Sequence, residues 1–173
     1  LTKTQEESLK KIKATYDVKN QEKTAEELEE KKSSQEYTLS NMLIEYNPFG
    51  TNTQSLYVYF NTDEPVSVAY TVHAEDPKIQ DFNRTVYQEE AYQKEHEFQV
   101  IGLIPDMENK VTFFLTKEDG STDTKEIVFE MGSLMGTEDV QLDTDVEGDA
   151  SQLEDGLYVV LGNDSTALDF MYY

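Results

Sequence analysis

The feature that most constrains this chain is a change of period. From Tyr37 to Met131, apolar residues recur at every second position. The runs are Met42, Ile44 and Tyr46; Leu56, Val58 and Phe60; Val66, Val68, Tyr70 and Val72; Phe98 and Val100; Val111, Phe113 and Leu115; and Ile127, Phe129 and Met131. Successive side chains of a strand point to opposite faces, so this alternation describes half-buried strands, not the 3.6-residue repeat of a helix. Asn61-Thr62-Asp63-Glu64-Pro65 separates two such runs and is read as the turn of a hairpin. Glu118-Asp119-Gly120-Ser121 is read as the turn of the last hairpin. The polar stretch from Ala74 to Lys94 is expected to be a loop carrying an edge strand near Thr85 to Tyr87.

About six or seven short strands at this spacing predict a mainly β fold, an immunoglobulin/fibronectin type III-like antiparallel β-sandwich. Phe98-Gln99-Val100-Ile101-Gly102-Leu103-Ile104-Pro105 resembles the Gly-Leu-x-Pro corner of fibronectin type III modules, where a strand crosses between sheets. The tyrosine usual a few residues past that proline is replaced here by Asn109.

Before Tyr37 the character differs. Eight of the 14 Lys and Arg residues precede Ser33, alternating with Glu in a near-neutral segment. Thr4-Gln5-Glu6-Glu7 and Thr24-Ala25-Glu26-Glu27 both fit a capping box, so helices are expected over Gln5 to Thr15 and Ala25 to Ser33. Glu6 with Lys10, Glu7 with Lys11 and Glu27 with Lys31 add i,i+4 pairs, while the apolar stripe of Leu9, Ile12 and Tyr16 is thin. The expected role is a solvated spacer; docking on a neighbour is the alternative.

After Met131 the composition changes again. The 24 positions from Gly132 to Asp155 hold eight acids and no Lys or Arg, too little apolar surface to order by burial, and read as a linker. Asp143, Asp145, Glu147, Asp149 and Glu154, with Gly148 at the sixth position, have the spacing of a calcium loop. Ala150 and the following Asp155-Gly156 depart from that pattern, and a solvated acidic run is the expected reading. Leu157 to Leu161 and Leu168 to Tyr173 read as two strands of a domain that continues beyond the chain. The resulting organisation is a helical segment over 1–36, a β-sandwich over 37–131, an acidic linker over 132–155 and first strands of a further domain over 156–173.

With 36 acidic against 14 basic residues, the net charge of −22 opposes nucleic acid and anionic lipid over the chain as a whole. The absence of cysteine removes disulfides, thiolate metal sites and a thiol nucleophile. No run of about 20 apolar residues is present, so membrane attachment is expected only through an N-terminal anchor or signal outside this sequence. His73 and His96 are the only imidazoles. His73 is expected on the outer face at a strand end, and His96 in the polar cluster Lys94-Glu95-His96-Glu97 that opens the next strand. No nucleophile elbow and no phosphate-cradling glycine loop occurs, so no catalytic, cofactor-binding or metal residue is assigned. Asn83-Arg84-Thr85 and Asn163-Asp164-Ser165 match the glycosylation pattern only incidentally. Tyr57 and Tyr59 lie opposite the core set, which predicts either an exposed partner surface or a face covered by the N-terminal helices.

Several motifs together carry a family resemblance. Asn47-Pro48-Phe49-Gly50-Thr51-Asn52-Thr53 runs into Ser55-Leu56-Tyr57-Val58-Tyr59-Phe60 and is followed by Glu64-Pro65-Val66. His96 to Pro105 comes next, and Asp155-Gly156-Leu157-Tyr158-Val159-Val160-Leu161-Gly162-Asn163-Asp164 closes the series. In this order they resemble the N-terminal domain of bacterial arylsulfotransferases, over roughly Tyr46 to Tyr173. The resemblance implies a small sandwich preceding a β-propeller. It also implies a parent enzyme that moves a sulfuryl group from a phenolic sulfate ester to a phenol through a propeller histidine. On that reading this chain is itself inactive and needs no cofactor. It supports propeller packing, active-site framing or dimerisation, with its own C-terminal propeller or a second subunit as partner, in an extracytoplasmic, secreted or cell-envelope location of a bacterium. The alternative is an extracellular fibronectin type III-like module that binds glycan or protein.

Overall fold

The computed structural model describes residues 3–133, 159–161 and 170–172. The chain divides into two compact units, Leu1–Glu138 and Asp139–Tyr173. In the second, β7 (Val159–Leu161) pairs antiparallel with β8 (Phe170–Tyr172). In the first, helices α1 (Lys3–Thr15) and α2 (Val18–Ser34) precede β1 (Leu43–Tyr46), β2 (Ser55–Ala74), β3 (Phe82–Thr85), β4 (Gln93–Ile101), β5 (Met107–Lys117) and β6 (Thr122–Met131).

Strand β2 organises everything else. Its first half, Ser55 to Asn61, pairs with β1 on one side and β4 on the other; its second half, Val66 to Ala74, pairs with β3 and β5. Strand β6 extends the second layer through a continuous antiparallel ladder with β5. The expected hairpin at Asn61 to Pro65 therefore does not form. Asn61 faces Glu95 and Val66 faces Gln93, so Thr62 to Pro65 bulge out opposite Lys94 and bend one 20-residue strand from the first layer into the second. The physical reason is burial. A hairpin would place both apolar runs on one face of one sheet, whereas the bend brings Leu56, Val58 and Phe60 to face Val66, Val68, Tyr70 and Val72 across a shared core. Pro65, which lacks an N–H, sits where no ladder bond is needed.

The core adds Val100, Leu103, Val111, Phe113, Leu115 and Met131, all buried. Aromatic contacts run through it: Phe98 lies 6.4 Å from Tyr70, 6.3 Å from Phe60 and 6.1 Å from Phe113, between ring centroids. The inward sets of β2, β4 and β5 are those the alternation picks out. The last hairpin also forms as expected: Lys117 N–H donates to Ser121 O at 2.8 Å, and Gly120 takes the positive φ that the turn requires. The edge strand lies three residues earlier than expected, at Phe82–Thr85, facing Val72 to Ala69. Beyond it, the Gln88 side chain continues the pairing by accepting from Val68 N–H at 3.0 Å and donating to Val66 O at 3.2 Å.

The corner after β4 shows how Asn109 replaces the usual tyrosine. Gly102 has φ of 92°, and a Cβ there would lie 2.7 Å from the Phe82 ring, so both conformation and space require glycine. Leu103 turns into the core. The fully buried Asn109 side chain accepts from Ile104 N–H at 2.7 Å and donates to Ile104 O at 2.9 Å and Met107 O at 3.0 Å. Tyr70 contributes as well, its hydroxyl accepting from Ile101 N–H at 3.0 Å. A compact amide thus holds both edges of the turn from inside.

Both helices begin ahead of their expected starts: α1 already includes Thr4, read as its cap, and α2 departs further. Helix α2 begins at Val18 because Asp17 caps it, its carboxylate accepting from Lys19 N–H at 3.1 Å and Asn20 N–H at 3.2 Å. Thr24, read as a cap, is inside that helix and its hydroxyl donates to Asn20 O at 3.0 Å.

Candidate functional site

The outer face of β1, β2 and β4 carries the densest polar arrangement among the described residues. Alternation sends Tyr57 and Tyr59 outward beside Leu43, where they are buried under α2 by Leu28, with Tyr37 and Phe49 at the margins. Helix cover is thus the outcome of the two alternatives for these tyrosines, and α2 is docked rather than a solvated spacer. The loop before β2 helps to fix it, since Gln21 Nε2 donates to Phe49 O at 2.9 Å.

Lys32 of α2 reaches over this face. Its Nζ donates to Glu97 at 2.7 Å and Glu29 at 2.9 Å and lies 4.8 Å from the Tyr59 ring centre. Tyr57 Oη donates to Glu97 at 2.9 Å and Tyr59 Oη to Glu95 at 3.0 Å. Lys31 adds a bond to Glu45 at 2.6 Å. Burial works against the Lys32 charge, but the bonds and charges of Glu97 and Glu29 outweigh it and hold the ammonium above its ordinary range. Burial and then Glu97 push the Tyr57 phenol upward. Both groups are held as donors, so the cluster clamps a helix to a sheet, and neither Lys32 nor Tyr57 is placed to act as a base or nucleophile at neutral pH.

The two histidines occupy contrasting sites. His73 is exposed on the outer face near the end of β2, as expected, and its Nδ1 hydrogen-bonds Asp81, which ties the following loop back to the strand. Among the described residues no hydroxyl completes a nucleophilic triad with that pair. His96 departs from the polar cluster expected of it. It is the inward residue of the alternation His96, Phe98, Val100; it is 1% exposed, and its ring stacks 4.8 Å from Phe60. Thr62 Oγ1 at 3.3 Å and Gln88 Nε2 at 3.5 Å satisfy its nitrogens at the bend of β2. Burial lowers its pKa to about 4, so at neutral pH it is an uncharged core residue.

An open depression of about 820 Å³ lies where β2 bends, bordered by Thr38, Asn61, Glu64, Lys117, Asp123 and Lys125. Lys117 and Glu64 are ion-paired there at 2.6 Å. No group of three or more His, Asp or Glu among the described residues is placed to hold a metal ion. The spaced carboxylates Asp143, Asp145, Glu147, Asp149 and Glu154 lie outside the described residues. No described helix is long and apolar enough to cross a membrane.

No curated protein matches this chain. The family model of the arylsulfotransferase Ig-like domain matches residues 43–132, more than half of the sequence. That span opens at the first residue of β1 and closes one residue after β6. The chain belongs to the arylsulfotransferase Ig-like domain family.

Proposed function

We propose that this chain is the non-catalytic N-terminal β-sandwich of an arylsulfotransferase, and that it braces a catalytic β-propeller and frames its entrance. The observation that carries this reading is the coincidence of the family match with the whole of β1 to β6. The parent reaction on this reading moves a sulfuryl group from a phenolic sulfate ester to another phenol through a histidine. His96 is sealed in the core and so is not suited to that role, which this reading gives to a propeller histidine. An extracytoplasmic location in a bacterial cell envelope accompanies the reading and rests on the family.

A bracing role needs an apolar contact outside the core. Phe114 and Val128, on the outer face of β5 and β6, remain exposed. They are the residues we assign to the propeller contact. The test is aryl sulfate transfer, with a chromogenic donor and a phenol acceptor, by this chain alone and by the chain extended through its propeller. Activity only in the longer form, reduced by Phe114→Asp with Val128→Asp, is the expected result. Turnover by the short chain would overturn it, and inactivity of both forms would favour a binding module.

A further inference from the structure

Several tyrosines of the domain spend their hydroxyls inside it. Tyr57 and Tyr59 donate to Glu97 and Glu95, Tyr46 Oη donates to Thr53 O at 2.7 Å, and Tyr70 Oη accepts from Ile101 N–H. Tyr87 is the opposite case. It is 87% exposed, the highest value for a large apolar side chain among the described residues, and its hydroxyl has no hydrogen-bond partner there. The exposure is built, because both neighbours are anchored. Val86 packs against the core and its N–H donates to Val68 O at 2.9 Å, while the Gln88 amide bonds Val68 N–H and Val66 O. With positions 86 and 88 turned toward the sandwich, alternation turns position 87 outward. A strand-like segment fixed on either side thus presents a free phenol to solvent.

We propose that Tyr87 is a modification site, a protein phenol that accepts a sulfuryl group from an aromatic sulfate ester in the reaction of the parent enzyme. The inference rests on the sulfuryl-transfer reading and deepens it by naming an acceptor within the chain itself. Over the whole transfer, Tyr87 Oη forms a bond to sulfur, the bond between sulfur and the donor's phenolic oxygen breaks, and the tyrosine proton ends on the phenol released. The histidine that carries the group between them is regenerated, no electron is gained or lost, and no further reactant is needed. Access selects the residue. An acceptor oxygen has to approach sulfur closely and in line with the bond that breaks, so its ring must enter a cleft outside its own domain. Tyr37, Tyr57, Tyr59 and Tyr70 are buried, and Tyr46 is held by Thr53 with its ring stacked 5.5 Å from that of Phe129. Tyr16 is the nearest competitor at 67% exposed. It lies between the end of α1 and the Asp17 cap of α2, with a helix on either side, whereas the backbone at Tyr87 follows the sheet edge and leaves the ring freer.

The experiment incubates the chain extended through its propeller with a chromogenic aryl sulfate and no added phenol, and maps the product by tandem mass spectrometry. The expected result is the mass gain of one sulfuryl group at Tyr87, matched by release of one equivalent of the donor's phenol. Tyr87→Phe is expected to lose that label and Tyr16→Phe to keep it, while both variants transfer to an added small phenol as fast as the wild type. A wild type that sulfates the small phenol and leaves Tyr87 unlabelled, or labels only other tyrosines, would overturn the site and leave the sulfuryl-transfer reading standing. Inactivity toward the small phenol as well would overturn both.

Discussion

The inner and outer faces of β2 between Ser55 and Phe60 exclude water in different ways. Inward, Leu56, Val58 and Phe60 meet only apolar or aromatic partners and the neutral His96 ring. Outward, Tyr57 and Tyr59 keep hydroxyls that must be satisfied, and a helix with one buried leucine and one clamped lysine covers them. The inner face is held by packing that no single contact controls. The outer face is held by a few directional bonds to a helix that contributes no side chain to the inner core. Fold stability and helix attachment should therefore be separable by mutation.

The sharpest test of that separation is the largest. Phe60→Ala removes an aromatic ring from the centre of the core and should lower the unfolding free energy by about 3–5 kcal/mol, read by urea denaturation. Nearly as large an effect should follow acidification. His96 binds its proton at about pH 4 in the fold but near 6.5 in the unfolded chain, so the unfolded state takes up protons first. Stability is therefore full above about pH 6.5, falls as the pH drops through this window, and has lost about 3 kcal/mol below pH 4. In His96→Leu this part of the pH dependence should vanish, and an unchanged slope would show that carboxylates elsewhere govern acid unfolding.

Asn109→Ala should cost about 2 kcal/mol by leaving Ile104 and Met107 groups unpaired inside the corner, visible as a lower melting temperature. The smallest effect belongs to the outer face. Lys32→Ala should cost about 1 kcal/mol and raise hydrogen exchange in α2 while the amides of β2 and β5 stay protected. Should Lys32→Ala destabilise the whole domain as much as Phe60→Ala, the two faces form one cooperative unit and the comparison fails.

The same contrast explains what could be read from the sequence. The inward sets of β2, β4, β5 and β6 were legible because alternation is a local property and each apolar run had one face to bury. The bend at Thr62 to Pro65 was not, since a polar turn-like stretch with a proline describes a hairpin and a bulge equally well. Only the competition of β4 and β5 for the two halves of β2 decides between them. Nor was the place of His96 legible as buried: its three charged neighbours mask its parity, although counting back by twos from Val100 recovers it. Helix α2 started early because Asp17 outcompeted Thr24, and two acceptable caps seven residues apart carry no rank in sequence. The clamp of Lys32, Glu97, Tyr57 and Tyr59 joins residues that lie far apart along the chain. Neither motif nor spacing could assemble them.

The double allegiance of β2 also governs the order in which the domain can be made. Ala74 is synthesised long before β4 and β5, yet nothing preceding it supplies more than the short β1 as a partner. Until Lys117 has emerged, the longest strand of the molecule presents seven core side chains, from Leu56 to Val72, without the ladders that will cover them. Folding must then close long sequence separations almost together, which makes it slow and leaves a nascent chain prone to aggregate. The dense surrounding acids, by keeping such intermediates apart, suit a strand that has to wait for its partners.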